Sequence, residues 1–246
     1  MKKYSIILVL LLFLGCQSDS TDNSFGNVES STGQGGSLAR FTVFRDYLYT
    51  VDNQDLNVFS IVDHEQPVQV NEIQIGFNIE TLFNYKEYLF IGSQNGMYIY
   101  SVEHPETPTY LSEAQHFTAC DPVIANFTHA FVTLHSNTGC GNNLNQLQIY
   151  NVEDIENPVL ISTRNLTKPI GLGLYRNYLI VCDDEVKIFD ISNPENAQLV
   201  HNINRDAFDV IIKNNLLILV GETGVYQYNL DAANIQNTTE LSTINI

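Results

Sequence analysis

The chain has 246 residues, with 28 acidic against 11 basic side chains and a formal net charge of −17. Bulk electrostatics of that sign disfavour nucleic acid and anionic lipid surfaces as partners. A hydrophobic content of 44% is enough for one substantial core, and Trp is absent.

The first element reads as an export signal. Lys2 and Lys3 precede an unbroken apolar run over 6–14, and Gly15 and Cys16 follow at once. A run of about nine residues is far short of the ~20 that span a bilayer, so residues 1–15 are expected to be a cleaved signal peptide. Phe13-Leu14-Gly15-Cys16 resembles a lipobox, at which the Cys thiol is lipidated and the chain is cut before it. The loose form, with Phe13 and Leu14 in the leading places, resembles lipoproteins of the Bacteroidota. Cys16 is therefore the expected lipidation site; an ordinary signal peptide with a chance Cys is the alternative. Each buried methylene adds ~0.8 kcal/mol of membrane affinity, so several acyl chains anchor almost permanently. The expected location is the outer membrane, on its cell-surface or periplasmic face. Without residues 1–15, nine basic side chains face 28 acidic ones, a net charge of −19. Residues 16–36 hold the lipidated Cys and a Ser-, Gly-, Asn- and Thr-rich stretch that reads as a flexible tether.

From residue 37 onward the sequence repeats. Leu56-Asn57-Val58-Phe59-Ser60-Ile61, Met97-Tyr98-Ile99-Tyr100-Ser101-Val102, Leu147-Gln148-Ile149-Tyr150-Asn151-Val152, Val186-Lys187-Ile188-Phe189-Asp190-Ile191 and Val225-Tyr226-Gln227-Tyr228-Asn229-Leu230 are five copies of one segment. Their third residues are spaced by 41, 50, 39 and 39 positions, a period near forty with one insertion in the third copy. Upstream of each lies a second apolar segment, such as Tyr47-Leu48-Tyr49 or Tyr178-Leu179-Ile180, introduced by a polar turn such as Arg45-Asp46 or Arg176-Asn177. A further apolar run precedes that turn, and turn residues, often Pro, introduce a fourth run downstream. Each unit thus predicts four short strands. No stretch carries a sustained 3.6-residue period with helix caps. Four-strand units of this length predict an all-β, five-bladed β-propeller of antiparallel blades over 37–246, with a β-solenoid as the alternative.

Val186-Lys187-Ile188-Phe189-Asp190-Ile191-Ser192-Asn193-Pro194-Glu195-Asn196 resembles the LVIVD repeat, an aliphatic strand ending in Asp and followed by an Asn-Pro turn. Asn157-Pro158 and Tyr178-Leu179-Ile180-Val181 fit other parts of it. The resemblance covers about 37–246 and is weakest in the fifth copy, where Asp231-Ala232-Ala233-Asn234 replaces the Asn-Pro turn. It implies a propeller on an exported bacterial protein and implies no shared catalytic activity.

With strands named A to D from the axis outward, the lead into strand A and the B–C turn share one face, here the top. Cys120 precedes strand A of the third blade and Cys140 sits in that blade's enlarged B–C loop, so the two are expected to form a disulfide in an oxidising compartment. Closing a loop of that size would add on the order of 3 kcal/mol. A metal site from Cys120, Cys140, Cys182 and a His is the competing reading, though no C-x-x-C spacing supports it. Cys182 ends strand B of the fourth blade and reads as a buried free thiol.

Enzyme motifs are missing: the chain has no G-x-S-x-G elbow, P-loop or H-E-x-x-H. Gly171-Leu172-Gly173 lacks the third Gly of a dinucleotide fingerprint and is assigned to packing. Asp183-Asp184-Glu185 reads as a solvated B–C turn. On the top face, Arg40, Glu80, Asp121 and Asp209 are expected near the channel mouth, with Asp52, Asp183 and Glu222 contributed by B–C turns. Loops of several blades converge there, so Arg40, Glu80, Asp121, Asp183 and Asp209 are the candidate ligand-binding set. The opposite face carries Arg45, Lys86, His129, Arg176 and Lys213 on A–B turns, which acidic C–D turns are expected to neutralise. These features predict a monomeric, non-enzymatic binding or scaffolding lipoprotein with no cofactor or metal. Its partners would be the membrane, through the anchor, and a protein or glycan ligand. An envelope hydrolase or lyase using top-face carboxylates on glycans or peptides is the alternative.

Overall fold

The computed structural model describes residues 36–115, 122–136 and 144–246. Cys16, Cys120, Asp121 and Cys140 lie outside them, as do the signal segment and nearly all of the tether. The described chain forms five four-stranded antiparallel sheets, each built from consecutive strands. Blade 1 contains β1 (Phe41–Phe44), β2 (Tyr47–Val51), β3 (Asp55–Ser60) and β4 (Val68–Gln74). Blade 2 contains β5 (Ile79–Tyr85), β6 (Tyr88–Ser93), β7 (Gly96–Ser101) and β8 (Thr109–Gln115). Blade 3 contains β9 (Val123–Ala125), β10 (His129–Leu134), β11 (Gln146–Asn151) and β12 (Val159–Asn165). Blade 4 contains β13 (Leu172–Tyr175), β14 (Tyr178–Cys182), β15 (Val186–Asp190) and β16 (Gln198–Ile203). Blade 5 contains β17 (Asp209–Lys213), β18 (Leu216–Gly221), β19 (Gly224–Asn229) and β20 (Thr239–Asn245).

The five conspicuous sequence copies are the C strands, and their likeness extends to the hydrogen bonding. In every blade the C–D ladder carries a bulge at the same place, beside Val58, Ile99, Ile149, Ile188 and Gln227. The extra D-strand residue is aliphatic each time: Val70, Leu111, Ile161, Val200 and Leu241. A bulge bends its strand and increases local twist, as a blade requires. The residue after each C strand donates its N–H to the A–B turn, as Ile61 does to Asp46, Val102 to Glu87 and Ile191 to Asn177 at 2.8–2.9 Å. These bonds place the A–B and C–D turns on one face. Blade 5 lacks the Asn-Pro turn, yet its Ile235–Asn237 forms the same short 3-10 turn that Pro194–Asn196 forms in blade 4.

Burial separates the inner blades from the outer two. In blades 2 to 4 the middle strands are buried on both faces, as in the run over β6 and β10. Blades 1 and 5 alternate, so that only one face of each is buried. The buried side chains form three clusters: one between blades 1 and 2, one across blades 2, 3 and 4, and one between blades 4 and 5. None of these clusters joins blade 5 to blade 1. Apolar contact between sheets therefore supplies four of the seams, and the fifth departs from the expectation of a uniform apolar ring.

Polar contacts across the channel link the two ends. Residues 36–40, which lead into β1, lie at the top, and Ser37 is 2% exposed. The Ser37 Oγ accepts the N–H of Leu172 in blade 4 at 2.7 Å. The carboxylate of Asp209 in blade 5 accepts N–H groups from Ser37 and Leu38. The carbonyl of Ala39 accepts Leu82 N–H of blade 2 at 2.8 Å.

Candidate functional site

The A strands of blades 2 to 5 enclose a cavity of about 210 Å³ along the propeller axis. Its walls are apolar, with Phe83, Ile124, Leu172, Val210 and Ile212 prominent, and among the described residues no carboxylate lines it. Ser37 stands at the top of this cavity. Tyr85, Asn126 and Ile212 line it toward the A–B turns. The sequence placed the mouth at the top, but the lead-in segment occupies that end.

The residues of the top-face set have separate tasks. Arg40 is exposed, and its Nε donates to the Glu80 carbonyl at 3.2 Å. These two neighbours are the only members of the set that the described residues bring into direct contact. Asp209 holds the lead-in segment. Burial pushes its carboxyl above the ordinary range, while N–H groups of Val210, Ser37 and Leu38 pull it back.

Asp183 departs from the solvated turn expected of it. Its side chain is fully buried and pairs with Lys187 Nζ at 2.6 Å. It also accepts the N–H groups of Thr167, at 3.0 Å, and Lys168, in the link from blade 3 to blade 4. Asp183 is therefore a bracket for the inter-blade link. Asp52 caps its own turn through the N–H groups of Gln54 and Asp55 at 2.9 and 3.0 Å, which hold its carboxyl below the usual range. Glu222 is exposed on its B–C turn. Cys182 is a buried free thiol, and burial raises its pKa.

Gly171 and Gly173 have a steric task, as their assignment to packing anticipated. A Cβ at Gly171 would lie 2.6 Å from the Phe208 carbonyl oxygen, and one at Gly173 would lie 2.9 Å from Ile212 Cδ1. Both glycines let blade 4 approach blade 5 closely.

Among the described residues, no carboxylate forms an ion pair with Arg45, Lys86, Arg176 or Lys213; the ion pairs found there involve Lys187 and Arg205. The acidic C–D turns share this face, and Glu153 acts electrostatically on His129, but none of them forms an ion pair with these four cations among the described residues. Instead the cations sit over aromatic rings: Arg45 over Phe44 at 4.9 Å, Arg176 over Tyr175 at 5.6 Å, and Lys86 over Phe127 at 4.5 Å. Arg45, Lys86 and Arg176 have φ of 54°, 52° and 54°, the left-handed region, which Asn214 also adopts in blade 5. His129 meets Thr128 Oγ1 at 2.7 Å, and burial lowers its pKa. Among the described residues no group of three His, Cys, Asp or Glu side chains is placed to hold a metal.

No family model matches the chain, and no curated protein sequence matches it. Solved structures do. A functionally unknown protein from Desulfotomaculum acetoxidans aligns with a TM-score of 0.67 at 12% identity, over 87% of this chain and 69% of its own. A protein from Lactobacillus plantarum aligns with a TM-score of 0.67 at 10% identity, over 82% and 69%. The periplasmic gluconolactonase of Pseudomonas aeruginosa aligns with a TM-score of 0.63 at 12% identity, over 84% and 68%. The chain is thus similar in fold to β-propeller proteins and spans about seven-tenths of these neighbours. At such identities the likeness concerns fold alone.

Proposed function

We propose that this protein is an LVIVD-type propeller carried on a lipid anchor at Cys16, and that it binds its ligand at the axial channel without altering it. The observation that carries this reading is the chemistry of the channel. Its walls are apolar, and the carboxylates at Asp183 and Asp209 are committed to backbone N–H groups. A concave apolar site with a few polar groups at its rim is the usual form of a small-molecule receptor. The lipobox-like segment and the polar tether support placement at the outer membrane.

The likeness to a gluconolactonase raises a hydrolytic reading. Such chemistry requires an acid, a base or a polarising group directed at the substrate. Among the described residues the channel lining offers Tyr85 and Asn126 but no carboxylate or His.

One experiment separates the two. The chain from residue 17 onward is equilibrated with an extract of envelope small molecules, and bound and free fractions are compared by mass spectrometry. A receptor enriches a compound unchanged, in proportion to protein. A product that accumulates with time at fixed protein would refute the reading.

A further inference from the structure

We infer that the A–B-turn end of the channel receives a small anion with an apolar body, such as an aromatic or short-chain carboxylate. This deepens the binding reading above and rests on it. The apolar body would enter the channel, and the anionic head would remain at the rim among Arg45, Lys86, Arg176 and Lys213.

Three observations converge on this ligand class. The first is the cavity, whose size of about 210 Å³ suits one substituted ring or a short chain. An apolar cavity of roughly 150 Å³ is known to hold benzene. The second is the distribution of charge. From residue 17 onward the chain has only nine Lys and Arg residues, and four of them stand at the ends of A strands on the A–B-turn face. In a strongly acidic protein none of these four forms an ion pair among the described residues, although Asp46 and Glu87 follow Arg45 and Lys86 in their turns.

The third is backbone cost. The turn position with positive φ favours Gly or Asn, and blade 5 uses Asn214 there. Blades 1, 2 and 4 instead place Arg45, Lys86 and Arg176 in that conformation. Each of these cations also lies over an aromatic ring, a contact Asn would not make, so the position joins a backbone cost to a cation–aromatic surface. Strained residues of this kind gather at binding sites. Lys86 also touches the exposed ring of Phe127 in the next blade, so the rim offers an aromatic surface beside a cation. A ring bearing a carboxylate complements both.

The test uses the chain from residue 17 onward and three probes of one shape: phenylpropanoate, phenylpropanamide and phenylpropylamine. Binding is measured by calorimetry at low salt. The anion is expected to bind at least about tenfold more tightly than the amide, as a charge-assisted contact provides, and the amine least well. A double variant, Lys86→Asn with Arg176→Asn, keeps a residue suited to the turn and should reduce the anion to the level of the amide. Arg40→Gln, on the opposite face, should leave the preference intact. Equal binding of anion and amide, a preference that survives the double variant, or no binding of any probe would overturn the inference. Chemical conversion of a probe would instead overturn the non-enzymatic reading on which it rests.

Discussion

Ser37 and Leu172 stand 135 positions apart in the chain and meet at the top of the channel, where the Ser37 Oγ accepts the Leu172 N–H at 2.7 Å. The same Ser37 has its backbone N–H held by Asp209 of blade 5. Among the described residues no strand is shared between the first and last blades, so this contact takes the place of a closing strand. It also closes the end of the channel at which the sequence had placed the ligand.

Removing the clasp should destabilise the fold. Asp209→Ala leaves the N–H groups of Ser37 and Leu38 without their acceptor, at an expected cost of about 1–3 kcal/mol. The pH dependence has a definite sign. Burial raises the folded carboxyl pKa, so between the unfolded and folded values the unfolded chain binds fewer protons. The Asp209 contribution is therefore present in acid, below about pH 4, and declines as pH rises through the folded pKa. Urea unfolding followed by circular dichroism should show the gap between wild type and variant narrowing with rising pH.

Asp183 and Asp184 are adjacent but should behave differently. Asp183→Ala leaves the Thr167 and Lys168 N–H groups without their buried acceptor and Lys187 with Asp184 alone, at about 2–4 kcal/mol. The Asp184 side chain is 51% exposed although it also meets Lys187, so Asp184→Ala should cost no more than about 1 kcal/mol. Thermal unfolding of the two variants side by side checks the contrast.

Much of the fold was legible because it follows from periodicity. The C-strand copies carry paired apolar positions such as Leu56 and Val58, and polar turns such as Arg176-Asn177 mark each reversal. The functional surface was less legible, because it depends on contacts between blades. Nothing near Asp183 in the sequence signals that Thr167 and Lys168 will turn back onto it. Ser37 sits in a polar stretch that reads as the end of a tether, and its partners Leu172 and Asp209 lie more than a hundred residues away. The rim cations were visible as a pattern, but the absence of ion pairs to them among the described residues depends on side-chain placement, which a strand pattern does not encode. The alternating burial of blades 1 and 5 likewise depends on which sheet faces have neighbours.

The two glycines before and within β13 should differ in tolerance. A Cβ at Gly171 meets backbone, with Phe208 O at 2.6 Å and Asp209 Cα at 2.7 Å. At Gly173 it meets side-chain atoms of Ile212 and Val210, which can shift. Gly171→Ala should cost about 1–3 kcal/mol and Gly173→Ala less, as seen in denaturation midpoints.

Cys182 should be chemically silent in the folded protein. It is buried, and burial raises its thiol pKa, so little reactive thiolate forms at neutral pH. Maleimide labelling with peptide mass spectrometry should modify Cys182 only after unfolding. The same unreduced digest reads the bridge expected between Cys120 and Cys140.

Ligand entry depends on which end of the channel is open, and thiol accessibility reads this directly. Ser37→Cys and Ile212→Cys place a reporter at the top and at the A–B-turn end of the same cavity. Peptide mass spectrometry distinguishes each introduced thiol from the native ones. The Ile212→Cys thiol should react with a small methanethiosulfonate in the folded protein, while the Ser37→Cys thiol stays protected until the chain unfolds. Rapid reaction at position 37 with protection at position 212 would contradict the account.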